Sequence, residues 1–357
     1  MAGRGDEMNV YWLAFATGNP PHFFSQQEIF RMARYDRFPR EIERKAQCVF
    51  KMAGVERRSM WLPREDYEPS CDPDDFHRRY RDGLAELAPR VAAEALLRAG
   101  LGGEDVDFVV FASCTGYTYP GYSVELAHAL GVLEGRPTAN LLGMGCSALV
   151  PALRAAWDHL RSEPGSRALV VAAEICSATY WIDDDLETAV GNALFGDGAA
   201  AIVLSSREDD LARSREAMAR IEGFRTLRDG RALSEMGFTQ RGGRLRLRLA
   251  RAIPEKIVPL AVRMAKSLEL EDGARVAFHP GGRKILDLLE KDLPPGWEAP
   301  IGWSRAVLRD FGNMSSPTAA FVLKRSFEER PLQTGERGAI VTMGPGISIE
   351  AMKMSWL

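Results

Sequence analysis

The chain has 357 residues, 46% hydrophobic and 27% charged, enough for two domains or one large two-lobed domain, and too much for a small stapled scaffold. Its 46 Lys and Arg against 49 Asp and Glu leave a net charge of −3, which gives no signature of nucleic-acid or membrane-surface binding. Five cysteines, an odd number without a C-x-x-C pair, argue against a disulfide framework and for a reducing compartment.

The N-terminal MAGRGDEMNV lacks an apolar core of the signal-peptide kind, and no apolar run approaches the roughly 20 residues of a membrane span. A cytoplasmic protein is therefore expected. Residues 1–8 read as a loose polar head, and Val10 to Ala16 as an apolar strand running into the turn TGNPP. Ser25-Gln-Gln-Glu28 has the form of a capping box opening a helix. Residues 37–93, dense in charge and holding Pro63, Pro69 and Pro73, read as short helices and surface loops.

From residue 84 the grammar is α/β: a helix through LAPRVAAEALLRAG, a strand VDFVVFAS (106–113), a helix at 147–161, a strand RALVVAAE (167–174), and a strand AAAIVLSS (199–206) after the turn FGDG. The charged run REDDLARSREAMAR (207–220) is the candidate boundary between a half at 1–206 and a half at 207–357. The second half continues with GRLRLRLA (243–250), whose period of two suggests a half-buried strand, then helix 254–268, strand RVAFH (275–279), helices 281–291 and 315–329, and two strands around GPG (344–346). Prolines 294, 295 and 300 are assigned to a loop, and both halves end in two apolar strands joined by a glycine-rich turn.

Three positions have the residue types of thiol chemistry. Cys146 follows Gly143 and Gly145 and precedes the helical run SALVPALRAAWDHL. A helix N-terminus favours thiolate over thiol, although a lone cysteine there reads more simply as a small buried hydrophobe. His279 is the one histidine of five that stands at the end of a buried strand, before Pro-Gly-Gly and a helix, where α/β sheets meet ligands. Asn313 lies in DFGNMSSPTAAFVL, ahead of a Ser316-Pro317 helix start, and by itself is ordinary turn chemistry.

Taken in order, GMGCS around Cys146, LFGDGAAA (194–201), FHPGGRKILD (278–287), FGNMSSP (311–317) and GPG (344–346) make the sequence resemble the type III polyketide synthases over residues 9–357. These are the chalcone synthase-like branch of the thiolase superfamily. The resemblance implies a thiolase-like fold, two similar halves in a five-layered αβαβα arrangement. It implies that Cys146 takes an acyl group from a coenzyme A (CoA) thioester and that malonyl-CoA loses carbon dioxide to give the enolate that attacks it, with cyclisation to a pyrone or resorcinol-type product. His279 and Asn313 would donate hydrogen bonds to the thioester oxygen. Phe195 matches an aromatic gate; Cys114, Thr179 and Ser315 match cavity-lining positions; Gly281 and Gly282 lie in a substrate-binding motif. Tyr119 matches a residue reaching into the partner's cavity, hence a homodimer, and GPG a cavity wall.

Departures from the family pattern are also visible. Leu149-Val150-Pro151 stand where small residues are usual, which suggests tighter packing against the cavity. Lys45 matches one member of the CoA-phosphate cluster, but Cys48 and Met52 occupy the other two, leaving Lys51, Arg283 and Lys284 as substitute cations and an acyl carrier protein as an alternative donor. Arg246 falls near a position that faces the cavity, against the simpler reading of arginines outward and leucines inward. A stand-alone ketosynthase making one condensation is the alternative enzyme. Neither a metal-ligand cluster nor a strand-to-helix G-x-G-x-x-G is present, so CoA thioesters are expected as substrates without a further cofactor.

Overall fold

The structure, a computed structural model, describes residues 8–63, 72–215, 219–241 and 244–357. The expected head, apart from Met8, together with Pro69 and Cys71, lies outside the described residues. In chain order the strands and helices are β1 (Tyr11–Gly18), β2 (His22–Ser25), α1 (Gln26–Met32), α2 (Arg40–Met52), β3 (Arg57–Met60), α3 (Pro73–Ala99), β4 (Phe108–Ser113), α4 (Tyr122–Ala129), β5 (Thr138–Leu142), α5 (Leu149–Ser162), β6 (Arg167–Glu174), α6 (Leu186–Leu194) and β7 (Gly198–Ser205). Then follow β8 (Ala219–Arg228), β9 (Met236–Arg241), β10 (Arg244–Leu249), α7 (Ile253–Ser267), β11 (Arg275–Phe278), α8 (Arg283–Asp292), α9 (Glu298–Phe311), α10 (Thr318–Glu329), β12 (Arg337–Gly344) and β13 (Ser348–Trp356).

Nine strands run in the order β11-β12-β13-β8-β1-β7-β6-β4-β5. The join between the first-half strands and the second-half strands is narrow: only Tyr11 with Arg220 and Trp12 with Ala219 pair across β1 and β8. The sheet therefore acts as two, and three apolar cores define its layers. Alternate side chains of both parts, from Val110 and Ile202 on one side to Ile340 and Met352 on the other, enclose α5 and α10 as a central layer. The opposite face of β4, β6, β7 and β1 is covered by α3 and α4, and that of β11, β12 and β13 by α7, α8 and part of α9. This is the expected αβαβα order. Strands β6 and β7 are buried along their whole length, which is why they read as unbroken apolar runs with no alternation.

The capping box forms as read: Ser25 Oγ accepts from the Glu28 amide at 3.2 Å, and Glu28 Oε2 accepts from the Ser25 amide at 2.9 Å. Helix α3 begins at Pro73, well before residue 84, because Asp72 caps it through the Asp74 amide at 2.9 Å and Pro73 fills a first-turn position that needs no amide. High charge there marks a solvated helix face, not a loop. Pro300 likewise lies in the first turn of α9, so the assigned loop is a helix from residue 298. Helix α10 starts at Thr318, since the Ser316 hydroxyl expected to cap it donates instead to Glu174 Oε1 at 2.5 Å. FGDG links α6 to β7 and does not join two paired strands, whereas GPG is the tight connection of the β12–β13 hairpin.

Candidate active site

Cys146 sits in a single tight turn, residues 145–147, that leads into α5. The turn needs left-handed backbone at Gly143 (φ +76°) and Gly145 (φ +55°), and a Cβ on Gly145 would meet Pro345 Cδ at 2.5 Å. The GPG hairpin of the second half thus presses on the backbone that presents the thiol, and Thr342 Oγ1 donates to Ser147 O at 3.2 Å in the same contact.

His279 follows β11 directly, its amide held by Val341 O at 2.8 Å. Asn313 is placed by reciprocal backbone bonds with the end of α6: its amide donates to Leu194 O at 2.9 Å and its carbonyl accepts from Gly196 at 3.0 Å. Its Oδ1 accepts the Ser315 amide at 2.8 Å, which turns Nδ2 toward Gly281 O at 3.3 Å and leaves both side-chain ends 3.8 Å from Cys146 Sγ. Ser315 needs φ +57° to make that turn, and its hydroxyl lies 3.0 Å from Cys114 Sγ.

Cys146, His279 and Asn313 all line one cavity of about 570 Å³, together with Cys114, Thr179, Phe195, Gly281, Gly282 and Ser315. Both ring nitrogens of His279 are buried and accept or donate no hydrogen bond among the described residues. Burial governs the charges. It pushes the Cys146 thiol up to about 11, more than the hydrogen bonds from Ser315 and Asn313 pull it down, and it holds the His279 imidazole down to about 3. Burial thus opposes the thiolate that a helix N-terminus favours. Burial raises Cys114 and Cys176 well above an ordinary thiol as well.

Other expected positions separate. Lys45 is not at the cavity; it is exposed and paired with Glu41 at 2.5 Å, while Cys48 and Met52, one and two turns on, line the chamber. Arg283 and Lys284 do line it, at exposed positions. Leu149 and Val150 are buried in the central layer and miss the cavity, so the tighter packing expected there does not reach it. Leu245, Leu247 and Leu249 face the cavity; Arg246 turns away to Asp183, 3.3 Å distant. Tyr119 projects into solvent, 91% exposed.

Glu174, wholly buried, was missed. Its Oε2 accepts from Ser113 Oγ, the Cys114 and Thr115 amides and Thr115 Oγ1 at 2.9 to 3.1 Å, and Oε1 from Ser316. The signal was a lone carboxylate closing the apolar run of residues 168–173. Asp197 of FGDG was also missed: it accepts from the Trp61 and Ser177 amides at 2.6 and 2.8 Å and from Ser177 Oγ, and burial pushes it up to about 6.

A five-layered α/β fold that gathers a cysteine, a histidine and an asparagine onto one largely apolar cavity defines a thiolase-like condensing enzyme. The profiles of the chalcone and stilbene synthases match this chain, the N-terminal domain over residues 7–208 and the C-terminal domain over 227–357, and the chain belongs to that family. It is 31% identical over 345 residues to a 3,5-dihydroxyphenylacetyl-CoA synthase of Streptomyces toyocaensis, covering 93% of this chain and 86% of the relative. It is 28% identical over 349 residues to a 1,3,6,8-tetrahydroxynaphthalene synthase of Streptomyces coelicolor, covering 94% and 90%. The crystal structure of the tetrahydroxynaphthalene synthase, a bacterial type III polyketide synthase, superposes with a TM-score of 0.84 at 26% identity over 97% of this chain and 99% of that one. PKS-I of the brown alga Ectocarpus siliculosus gives 0.86 at 25% identity over 99% and 100%. The chain is a type III polyketide synthase, an acyltransferase that makes carbon–carbon bonds by decarboxylative condensation, and not a single-condensation ketosynthase.

Proposed function

We propose that Cys146 carries the growing chain, and that His279 and Asn313 hold the oxygen on which negative charge develops. Neither charged form is favoured alone in this chamber, so the proton leaves Sγ as the sulfur attacks the thioester carbonyl, and the imidazole takes it. The imidazolium then returns that proton to the departing CoA thiolate. Malonyl-CoA next loses carbon dioxide; its thioester oxygen becomes an enolate oxygen between the imidazole N–H and Asn313 Nδ2, and the carbanion attacks the acyl carbonyl, breaking its C–S bond, releasing the Cys146 thiolate and leaving the lengthened chain on CoA for transfer back to Cys146. Hydrogen-bond donors serve here because decarboxylation itself supplies the electron pair.

The observation that carries this reading is the pairing of Cys146 Sγ with the Asn313 carboxamide at 3.8 Å, in one largely apolar cavity that also holds a buried imidazole without a hydrogen-bond partner among the described residues. Phe195 stands in the cavity lining, suited to gate it, and its ring is 6.5 Å from Phe238. Arg251, Arg283 and Lys284 are the cavity-lining cations placed for CoA phosphates, in place of Lys45. Tyr119, with the edge strand β5 and the half-exposed Leu142, suits a homodimer contact.

Incubation with an acyl-CoA and labelled malonyl-CoA should yield extended, cyclised product. Cys146→Ala should abolish it, and Asn313→Ala should lower turnover by about 100-fold or more, the usual loss for one oxyanion donor. Product formation by Cys146→Ala at the native rate would defeat the assignment. Replacing acyl-CoA by an acyl carrier protein thioester measures which donor is used.

A further inference from the structure

The walls of the chamber divide by chemistry. At the end that holds Cys146, the lining offers Cys114, Thr115, Cys176, Thr179, His279 and Ser315. The wall built by α6, the β9–β10 hairpin and α7 contributes no hydroxyl, amide or carboxylate side chain among the described lining residues, and the polar side chain it does carry, Arg251, is exposed. Val190, Met236, Leu247, Leu249, Ile253 and Ile257 are its aliphatic surface, with Ile253 and Ile257 completely buried.

We infer that this wall houses a saturated acyl chain, so that the starter is a medium-chain aliphatic thioester; the inference rests on the condensing-enzyme reading above and names its substrate class. Leu245, Leu247 and Leu249 project from alternate positions of β10 onto the cavity, a row spanning about 13 Å at roughly 3.3 Å per residue. A fully extended chain advances about 1.2 Å per bond, the backbone's own figure, so the row matches roughly ten to twelve carbons. Arg246, the polar neighbour in that strand, points out to Asp183 and leaves the row uninterrupted. A phenolic starter that buried its hydroxyl against the leucine row, away from the exposed Arg251, would lose about 10- to 100-fold in binding.

The chain-length profile is measured on the unaltered full chain. With malonyl-CoA in excess, kcat/KM is measured for straight-chain acyl-CoA starters from four to sixteen carbons, and for benzoyl- and hydroxycinnamoyl-CoA. The expected result is a rise of several fold per two added methylenes, below the ceiling of about 15-fold set by complete burial, a maximum near ten to twelve carbons, and a decline beyond it. Leu247→Trp should move the maximum to shorter chains. A profile flat in chain length, a preference for an aromatic starter over decanoyl-CoA, or use of malonyl-CoA alone overturns the inference while Cys146-dependent condensation leaves the parent reading standing. No Cys146-dependent product with any thioester defeats both.

Discussion

Cys146 and His279 share the chamber, and burial drives both toward neutrality. With the thiol raised to about 11, the thiolate fraction grows about tenfold per pH unit through the neutral range. Alkylation of Cys146 by iodoacetamide, followed peptide by peptide in a mass spectrometer, should therefore keep accelerating from pH 7 to pH 9; a plateau near neutrality would reveal a thiolate–imidazolium pair instead. His279, lowered to about 3, resists protonation only in the folded state, so between about pH 6.5 and 3 the unfolded chain binds the extra proton. Its contribution to stability is complete above that window and is lost as pH falls through it. Denaturant melts at pH 7 and pH 5 should show a loss of about 2 kcal/mol that His279→Gln does not share. The sequence displayed these two residues and Asn313 openly, through paired glycines, a strand end and a turn. It hid Glu174 and the displaced Lys45, because which hydroxyls converge on a carboxylate, and which way a helical lysine faces, are settled by packing between distant segments.

Short elements anchor the site as firmly as the long ones. Arg58, at the second position of β3 and fully buried, donates to Asn192 O and Phe195 O at 2.8 Å and to Ala193 O at 3.0 Å. It thereby caps the C-terminal end of α6, where carbonyls lack helical partners and a cation is favoured. Arg58→Ala should cost about 3 kcal/mol in denaturant unfolding and loosen the Phe195 and Asn313 segments together. The Cys146 turn depends on the GPG hairpin in the same way. Gly145→Ala adds about 1–2 kcal/mol of left-handed strain and forces a carbon to 2.5 Å from Pro345 Cδ; its kcat should fall severalfold even at temperatures where the variant stays folded. Strands with unbroken apolar runs, and helices with a clear cap, were legible from residues alone. The early start of α3, and α9 with its Pro300, were not, since charge and proline both mimic loops when their first-turn role goes unrecognised.

At the scale of the molecule, the αβαβα order could be expected only through likeness to a family, since no repeat relates the halves in residues. Its physical basis is visible now: α5 and α10 are apolar on faces turned to both sheet parts, so neither half completes its core without the other. Expression of residues 1–215 alone should give an aggregating product that binds hydrophobic dye, whereas co-expression with residues 219–357 should recover soluble material. The narrow β1–β8 join sets a matter of timing. On a ribosome adding about 5–20 residues per second, the cysteine-bearing half emerges some ten to thirty seconds before the strands and helix that finish the central layer. Throughout that interval a broad oily surface and the Cys146 thiol lie open together, and a chaperone that shields nascent chains would guard both at once.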